Sequence, residues 1–187
     1  FILSLGIVAS GFLKFNFFPP LEADIVIATV EYPEGTPVSI TKEGLERIEE
    51  SAFKLKDSLE ESYPEQKIFI NMVSTAGDQP IKTQSARGPG NLDATFFGSH
   101  LAECVIELAP GEERPISTVE ISKIWRDLTG PIPGVKQVEF ESDLFSTGPP
   151  IEIKLSSVSR EDLKKVTSIL KDKLQTYAGV FDIKDSF

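Results

Sequence analysis

Residues 100–141, HLAECVIELAPGEERPISTVEISKIWRDLTGPIPGVKQVEFE, decide the fold. The first nine alternate, with Ala102, Cys104, Ile106 and Leu108 on one side and Glu103 and Glu107 on the other, which is the period-two pattern of a half-buried strand. Ser117 followed three positions later by Glu120 forms a capping box. Ile121, Ile124, Trp125 and Leu128 then recur at helical spacing until Gly130-Pro131 stops the helix. Residues 135–141 (VKQVEFE) return to extended structure, with Val138 and Phe140 facing inward. Strand, helix and strand in this order make half of a split βαβ unit.

The same order lies upstream. In residues 24–32 (DIVIATVEY) the even positions are apolar and the odd positions, Ile25, Ile27, Thr29 and Glu31, are mixed, so this strand has one dry face and one mixed face. Thr36 before Pro37 predicts an N-cap with proline at the first helical position. Val38, Thr41, Leu45, Ile48, Ala52, Leu55 and Leu59 then form the stripe of a long amphipathic helix that contains Gly44. Residues 67–74 (KIFINMVS) predict the second strand, with Met72 on the helix side. The order β-α-β-β-α-β over residues 22–145 predicts an α+β fold of the ferredoxin-like, split βαβ kind, an antiparallel sheet with both helices on one face.

After the Ser/Thr/Gly/Pro punctuation at 146–150, Ile151, Ile153 and Leu155 alternate. Ser159 with Asp162 caps a helix carrying Leu163, Val166, Leu170, Leu174 and Tyr177, and residues 180–183 resume extended structure. Residues 150–187 thus read as a βαβ half of a second unit. So small a piece cannot bury a core alone, and its complement is expected from a longer parent chain or from another copy. Residues 1–13 carry no charge, and as a helix at about 1.5 Å per residue they reach roughly 20 Å, short of the ~30 Å hydrocarbon core. Residues 1–20 read as the end of a transmembrane helix with Lys14 and Asn16 at the interface and Pro19-Pro20 closing it.

The chain has 187 residues, 29 acidic and 19 basic, for a formal net charge of −10. Such a balance lacks the clustered Lys/Arg that phosphate binding needs, which argues against a nucleic-acid partner. The single cysteine, Cys104, and single histidine, His100, share a strand face but sit about 13 Å apart by strand rise, so no zinc site is expected, and Cys104 reads as core. Gly88-Pro89-Gly90 lacks the ending and the following helix of a phosphate loop. Glu43, Glu46, Glu49, Glu50 and Glu60 lie off the helix stripe and read as a solvated face. The expectation is a protein with no catalytic residue, no metal and no cofactor, and not an enzyme.

Two features remain. Residues 77–98 join the second and third strands through a stretch longer than hairpin loops usually run, and it ends in Phe96-Phe97. The sheet face away from the helices, with Ile27, Thr29, Glu31, Asn71 and Val73, is part apolar and part polar, which suits a cleft lining or a subdomain interface.

An apolar helix end running into FFPP (17–20), a strand, and a PEGT turn (33–36) into a long acidic helix resemble the exit from a membrane helix in the resistance-nodulation-division (RND) efflux transporters. SHLAECVIELAPGEERPIS (99–117), IWRDLTGPIPGVKQVEFES (124–142), GPPIEIKL (148–155) and YAGVFDI (177–183) are similar to the second periplasmic porter half of the acriflavine-resistance-like branch. The most specific run is EER (112–114), WR (125–126) and GPIPG (130–134) in that order. The resemblance implies that residues 22–145 form one porter subdomain and 150–187 the first half of the next, in the periplasmic part of an inner-membrane, proton-driven multidrug antiporter. It implies a homotrimer working with a periplasmic adaptor and an outer-membrane channel. It also implies a cleft for small amphipathic or hydrophobic substrates, lined by Ile27, Thr29, Glu31 and Val73 on the first face, by Ile151 and Ile153 on the next subdomain, and by Phe96 and Phe97 in a switch loop. The metal-exporting branch uses cleft methionines, and the placement of Met72 on the helix side favours organic cargo. The rival expectations are a freestanding ferredoxin-like module that assembles with copies of itself, and a small acidic hydrolase. Self-association is expected of the isolated fragment in either of the first two cases.

Overall fold

The computed structural model describes residues 23–87, 95–142 and 153–177, together with 180, 183 and 185. The apolar stretch at 1–20 and Ile151 therefore lie outside the described residues. No helix among those described is long and apolar enough to cross a membrane.

The strands are β1 (Ile25–Glu31), β2 (Phe69–Asp78), β3 (Phe97–Leu108) and β4 (Gln137–Glu141), and the helices are α1 (Val38–Ser62), α2 (Pro80–Ala86), α3 (Thr118–Thr129) and α4 (Arg160–Leu174). The strands form one sheet in the order β2-β3-β1-β4, with every neighbouring pair antiparallel. With α1 and α3 as the crossovers, this is the α+β, ferredoxin-like arrangement that the β-α-β-β-α-β pattern predicts.

The core lies between the sheet and the two long helices. Val26, Ala28 and Val30 of β1 and Ala102, Cys104 and Ile106 of β3 meet Ile48, Ala52 and Leu55 of α1 and Ile121 and Trp125 of α3, all sealed from solvent. Met72 packs against this cluster from β2. The Trp125 indole N–H donates to Ser51 Oγ at 2.9 Å, and its ring meets Phe140 edge-on with centroids 5.2 Å apart. One side chain thereby joins α3 to both α1 and β4, and burying it with its polar N–H satisfied avoids the desolvation penalty of an unpaired donor.

Helix α1 starts one residue later than the sequence suggests. Thr36 does not cap it, because its Oγ1 donates to Pro33 O at 2.6 Å and closes the Pro33–Thr36 turn, in which Gly35 takes φ +88°. Pro37 becomes the extended N-cap residue, with no side-chain cap. Val38, placed on the stripe by spacing, is exposed as a result, and Leu128 at the far end of the α3 stripe is exposed too. Gly44 has a packing reason: a Cβ there would run into the Tyr32 ring, which lies against the helix.

Helix α3 begins as its capping box requires, with Ser117 Oγ accepting from Glu120 N at 3.2 Å, and ends at Gly130 with φ +61°. Strand β4 is two residues shorter than the pattern 135–141, but Phe140 is buried and Val138 packs on the core as expected. Strands β2 and β3 both run further than expected, and the additional pairing brings Asp78 opposite Phe97 across a register shift. Immediately beyond lies α2, in what reads from sequence as loop. Residues 153–157 carry no regular structure, whereas α4 is capped as predicted, Ser159 Oγ accepting from Asp162 N at 3.2 Å.

Candidate functional site

Glu103 sits on β3 with its side chain away from the core, since Ala102 and Cys104 on either side point inward. The alternation places it among solvated residues, yet it is only 1% exposed. The reason is α2, which covers this part of the outer sheet face. Pro80 occupies the first turn of α2, where a missing N–H removes nothing the helix would use. The next two amides, Ile81 N and Lys82 N, donate to Glu103 Oε1 and Oε2 at 2.9 and 3.0 Å. A carboxylate at this position satisfies two of the amides that every helix start leaves without partners.

The segment is fastened at four further points. Gln79, itself buried, donates through Nε2 to Ala102 O at 3.1 Å and Val30 O at 3.2 Å. Its backbone N donates to Phe96 O at 2.9 Å. Thr83 Oγ1 accepts from Phe96 N at 3.0 Å. Lys82 Nζ reaches Glu139 Oε2 at 2.7 Å on β4 and also lies 5.5 Å above the Phe96 ring. In register, Thr29 of β1 lies opposite Glu103 on one side and Glu139 on the other, so α2 spans β3, β1 and β4 at one level of the sheet. Burial pushes the Glu103 carboxyl above the ordinary carboxylate range. The Ile81 and Lys82 amides pull it back, the charge of Asp78 pushes it up further, and the Lys82 ammonium opposes that.

The side chains that the sequence assigns to a cleft fall into three groups. Ile27 and Thr29, at 2% and 3% exposure, are closed off from solvent in this chain. Glu31 is half-buried and held by Lys136 Nζ at 2.6 Å, a contact that raises the Lys136 ammonium pKa. Val73 is 59% exposed, Phe97 80%, and Ile153 is exposed, while Phe96 is half-buried against Lys82. The outer face therefore has a covered part under α2, where Glu103 and Thr29 lie, and an open part around Val73. Phe97 stands where β3 begins, at the foot of the α2 segment. Gln79, Lys82, Glu103 and Glu139, which organise this region, are not picked out by sequence reasoning. The available signal was Gln79-Pro80 inside the long connection, a helix start on the far side of the sheet.

The motifs that carry the family resemblance have structural roles. Arg114 of EER is buried, pairing with Asp24 Oδ1 at 3.0 Å and donating to Thr118 Oγ1 at 3.0 Å, while Thr118 donates to Ala23 O at 2.8 Å. Trp125 of WR is the interhelical tie already described, and Arg126 lies over the Phe140 ring. Gly130 and Gly134 of GPIPG both have positive φ, and Ile132 between them is buried. Cys104 is a core residue whose thiol burial pushes up to about 11, with Ser74 Oγ 3.5 Å from its sulfur. Among the described residues no three His, Cys, Asp or Glu side chains come together to hold a metal ion. An open, polar depression of about 480 Å³, bordered by Glu46, Glu50, Lys54 and Thr129, lies between α1 and α3, on the opposite side of the sheet from α2.

No protein-family model matches the chain, and no curated protein matches it. Among solved structures, the X-ray crystal structure of a heavy metal efflux pump superposes on 97% of this chain with a TM-score of 0.50 at 16% sequence identity. The match takes in 18% of the pump, so this chain spans under a fifth of that protein's length. At that identity the likeness speaks to fold, and it agrees with the strand order and helix placement: the chain has the α+β, ferredoxin-like fold found in a segment of an efflux pump.

Proposed function

We propose that this chain is a porter-domain segment of an RND-type efflux transporter, of the acriflavine-resistance-like branch, and that its outer sheet face borders the passage for small amphipathic compounds. The observation that supports the efflux-segment part of the reading is the superposition of nearly the whole chain on one segment of a heavy metal efflux pump, while the branch and the organic cargo rest on the sequence motifs and on the placement of Met72. The EER, WR and GPIPG motifs support it from the sequence side, since each holds a joint of this fold together. In the proposed parent protein the segment is periplasmic and belongs to an inner-membrane homotrimer, with energy supplied by proton movement elsewhere in the chain and with an adaptor and outer-membrane channel as partners. The segment performs no catalysis.

Organic cargo is favoured because the one methionine, Met72, packs against the core and gives no thioether to the outer face. Within the cleft assignment, Val73, Phe97 and Ile153 are the accessible side chains, and Ile27 and Thr29 support the sheet beneath. Apolar side chains with a few polar neighbours bind amphipathic molecules through burial, with little directional demand.

The test uses the full-length transporter. Val73→Asp, Phe97→Ala and Ile153→Asp change exposed side chains, so the protein should reach the membrane in normal amounts while susceptibility to hydrophobic drugs rises. Normal amounts with an unchanged susceptibility profile for all three would remove the cleft assignment. A gene ending close to residues 1 and 187 would remove the transporter reading itself and favour a self-assembling module.

A further inference from the structure

Glu103 is 1% exposed, so a passing molecule cannot touch it. Its carboxylate only accepts hydrogen bonds, Oε1 from Ile81 N at 2.9 Å and Oε2 from Lys82 N at 3.0 Å. Two donors aimed at two oxygens suit the ionised form, because a proton on either oxygen would stand against an N–H. The amides belong to the second and third residues of α2, so the carboxylate fixes where this short helix starts. From α2 the contacts run on to Phe96. Lys82 places its ammonium 5.5 Å from the centre of the Phe96 ring and 2.7 Å from Glu139 Oε2. Thr83 Oγ1 accepts from Phe96 N at 3.0 Å, and Phe96 O accepts from Gln79 N at 2.9 Å. Phe96 is thus held at its ring, its N–H and its carbonyl by residues 79–83. The next residue, Phe97, is 80% exposed and lies opposite Asp78, one position before the same segment.

We propose that Glu103 is a positioning residue of the passage: as the ionised anchor of α2 it fixes the Phe96 ring and the stance of Phe97, and so shapes which cargo is accepted without meeting the cargo. The effect on cargo rests on the transport reading; the positioning of Phe96 does not. Glutamine at this position has nearly the same volume but offers one oxygen and one NH2, so one of the two amides would face a donor, and the charge that strengthens both bonds would be gone. The start of α2 then loses its fixed place, and with it the seat of Lys82 over Phe96. A carboxylate that served the fold alone would, when removed, lower the amount of protein and weaken export of every compound alike. A positioning carboxylate changes the spectrum of compounds, and only through the two phenylalanines.

The experiment has two arms. On this chain, Glu103→Gln should speed amide exchange at Ile81 or Lys82 about tenfold or more, the loss expected for a hydrogen bond to a charged partner. It should also abolish the NMR proximity signals between Lys82 and the Phe96 ring, while Cys104 and Val105 in the central ladder exchange as before. In the full-length transporter, Glu103→Gln should be present in normal amounts and change susceptibility to the same compounds as Phe97→Ala. Added to Phe96→Ala with Phe97→Ala, it should change susceptibility by less than about twofold. Unaltered exchange and proximity signals, a uniform loss across all compounds, or a larger effect on the double-alanine background would each overturn the proposal. A silent Phe97→Ala would instead remove the cleft assignment, and the first arm then decides whether Glu103 positions Phe96. Should Glu103→Gln not fold, Thr83→Val takes its place, since it removes the hydroxyl that accepts Phe96 N and leaves Glu103 intact. It should shift the compound spectrum with protection at Ile81 and Lys82 retained; an unshifted spectrum beside an active Phe97→Ala overturns the proposal.

Discussion

Replacing Gly44 by alanine sets two opposing effects against each other, and the structure decides the sign. Gly44 lies inside α1, where alanine is favoured over glycine by about 0.8–1.0 kcal/mol of helix propensity. A Cβ at this position would, however, meet the Tyr32 ring, with Cε2 at 2.9 Å and Cζ at 3.0 Å. Tyr32 cannot simply swing aside: it is 3% exposed, belongs to the core cluster, and has Gly134 on its far side. Forcing a methyl into such a site falls at the upper end of the overpacking range, about 3 kcal/mol. The difference leaves Gly44→Ala destabilised by about 2 kcal/mol, a melting temperature lower by roughly 8 °C for a domain of this size. Chemical denaturation with fluorescence of the buried Trp125 measures it. The companion variant makes the reasoning sharp, because in a Tyr32→Leu background the ring is gone and Gly44→Ala should become neutral or stabilising by up to about 1 kcal/mol. A Gly44→Ala protein more stable than the parent with Tyr32 in place would refute the account of why glycine stands there.

Three further outcomes follow from other parts of the molecule. Cys104, with its thiol at about 11 and no exposure, should resist alkylation under native conditions at neutral pH and react only at the rate of unfolding, which a thiol-labelling time course reads directly. Asp24→Ala leaves the Arg114 guanidinium buried without its carboxylate; because Asp24 itself is half exposed the loss should be about 1–2 kcal/mol, below the range for a fully buried pair, and visible as a lower denaturation midpoint with unchanged slope. Helix α4 has no buried residue and shows Val166 and Ile169 to solvent, so the chain should associate with itself. Sedimentation should report a dimer at high micromolar concentration that Val166→Glu with Ile169→Glu returns to monomer; a parent chain that is already monomeric there counts against it.

The helix-side half of the molecule was open to sequence reasoning because its side chains, Val38 and Leu128 at the ends of the stripes excepted, obey one periodicity. Ile48, Ala52 and Leu55 recur with the turn of α1, Ala102, Cys104 and Ile106 with the pleat of β3, and both sets point at the same core. The capping boxes at Ser117 and Ser159 fixed two helix starts because the local chemistry has no competitor. At Thr36 there was a competitor, the carbonyl of Pro33, and the turn took the hydroxyl. The outer face was harder to read for a different reason. Alternation says that Glu103 points away from the core, but not whether anything lies over it, and its cover is a seven-residue helix too short to produce a periodic stripe. The contacts from Gln79 to Val30 and Ala102, and from Lys82 to Glu139, depend on the third dimension alone.

The knot formed by Ala23, Asp24, Arg114 and Thr118 gives the molecule a mechanical character. It sits at the threshold of β1, one of the two interior strands of the sheet, bonded to β3 and β4. A pull arriving along the residues before Ala23 is borne first by this knot, which shares the load with the turn between β3 and α3. Only after it ruptures would tension reach the ladders that join β1 to β3 and β4, so the first bonds to feel a tug from that end lie outside the sheet.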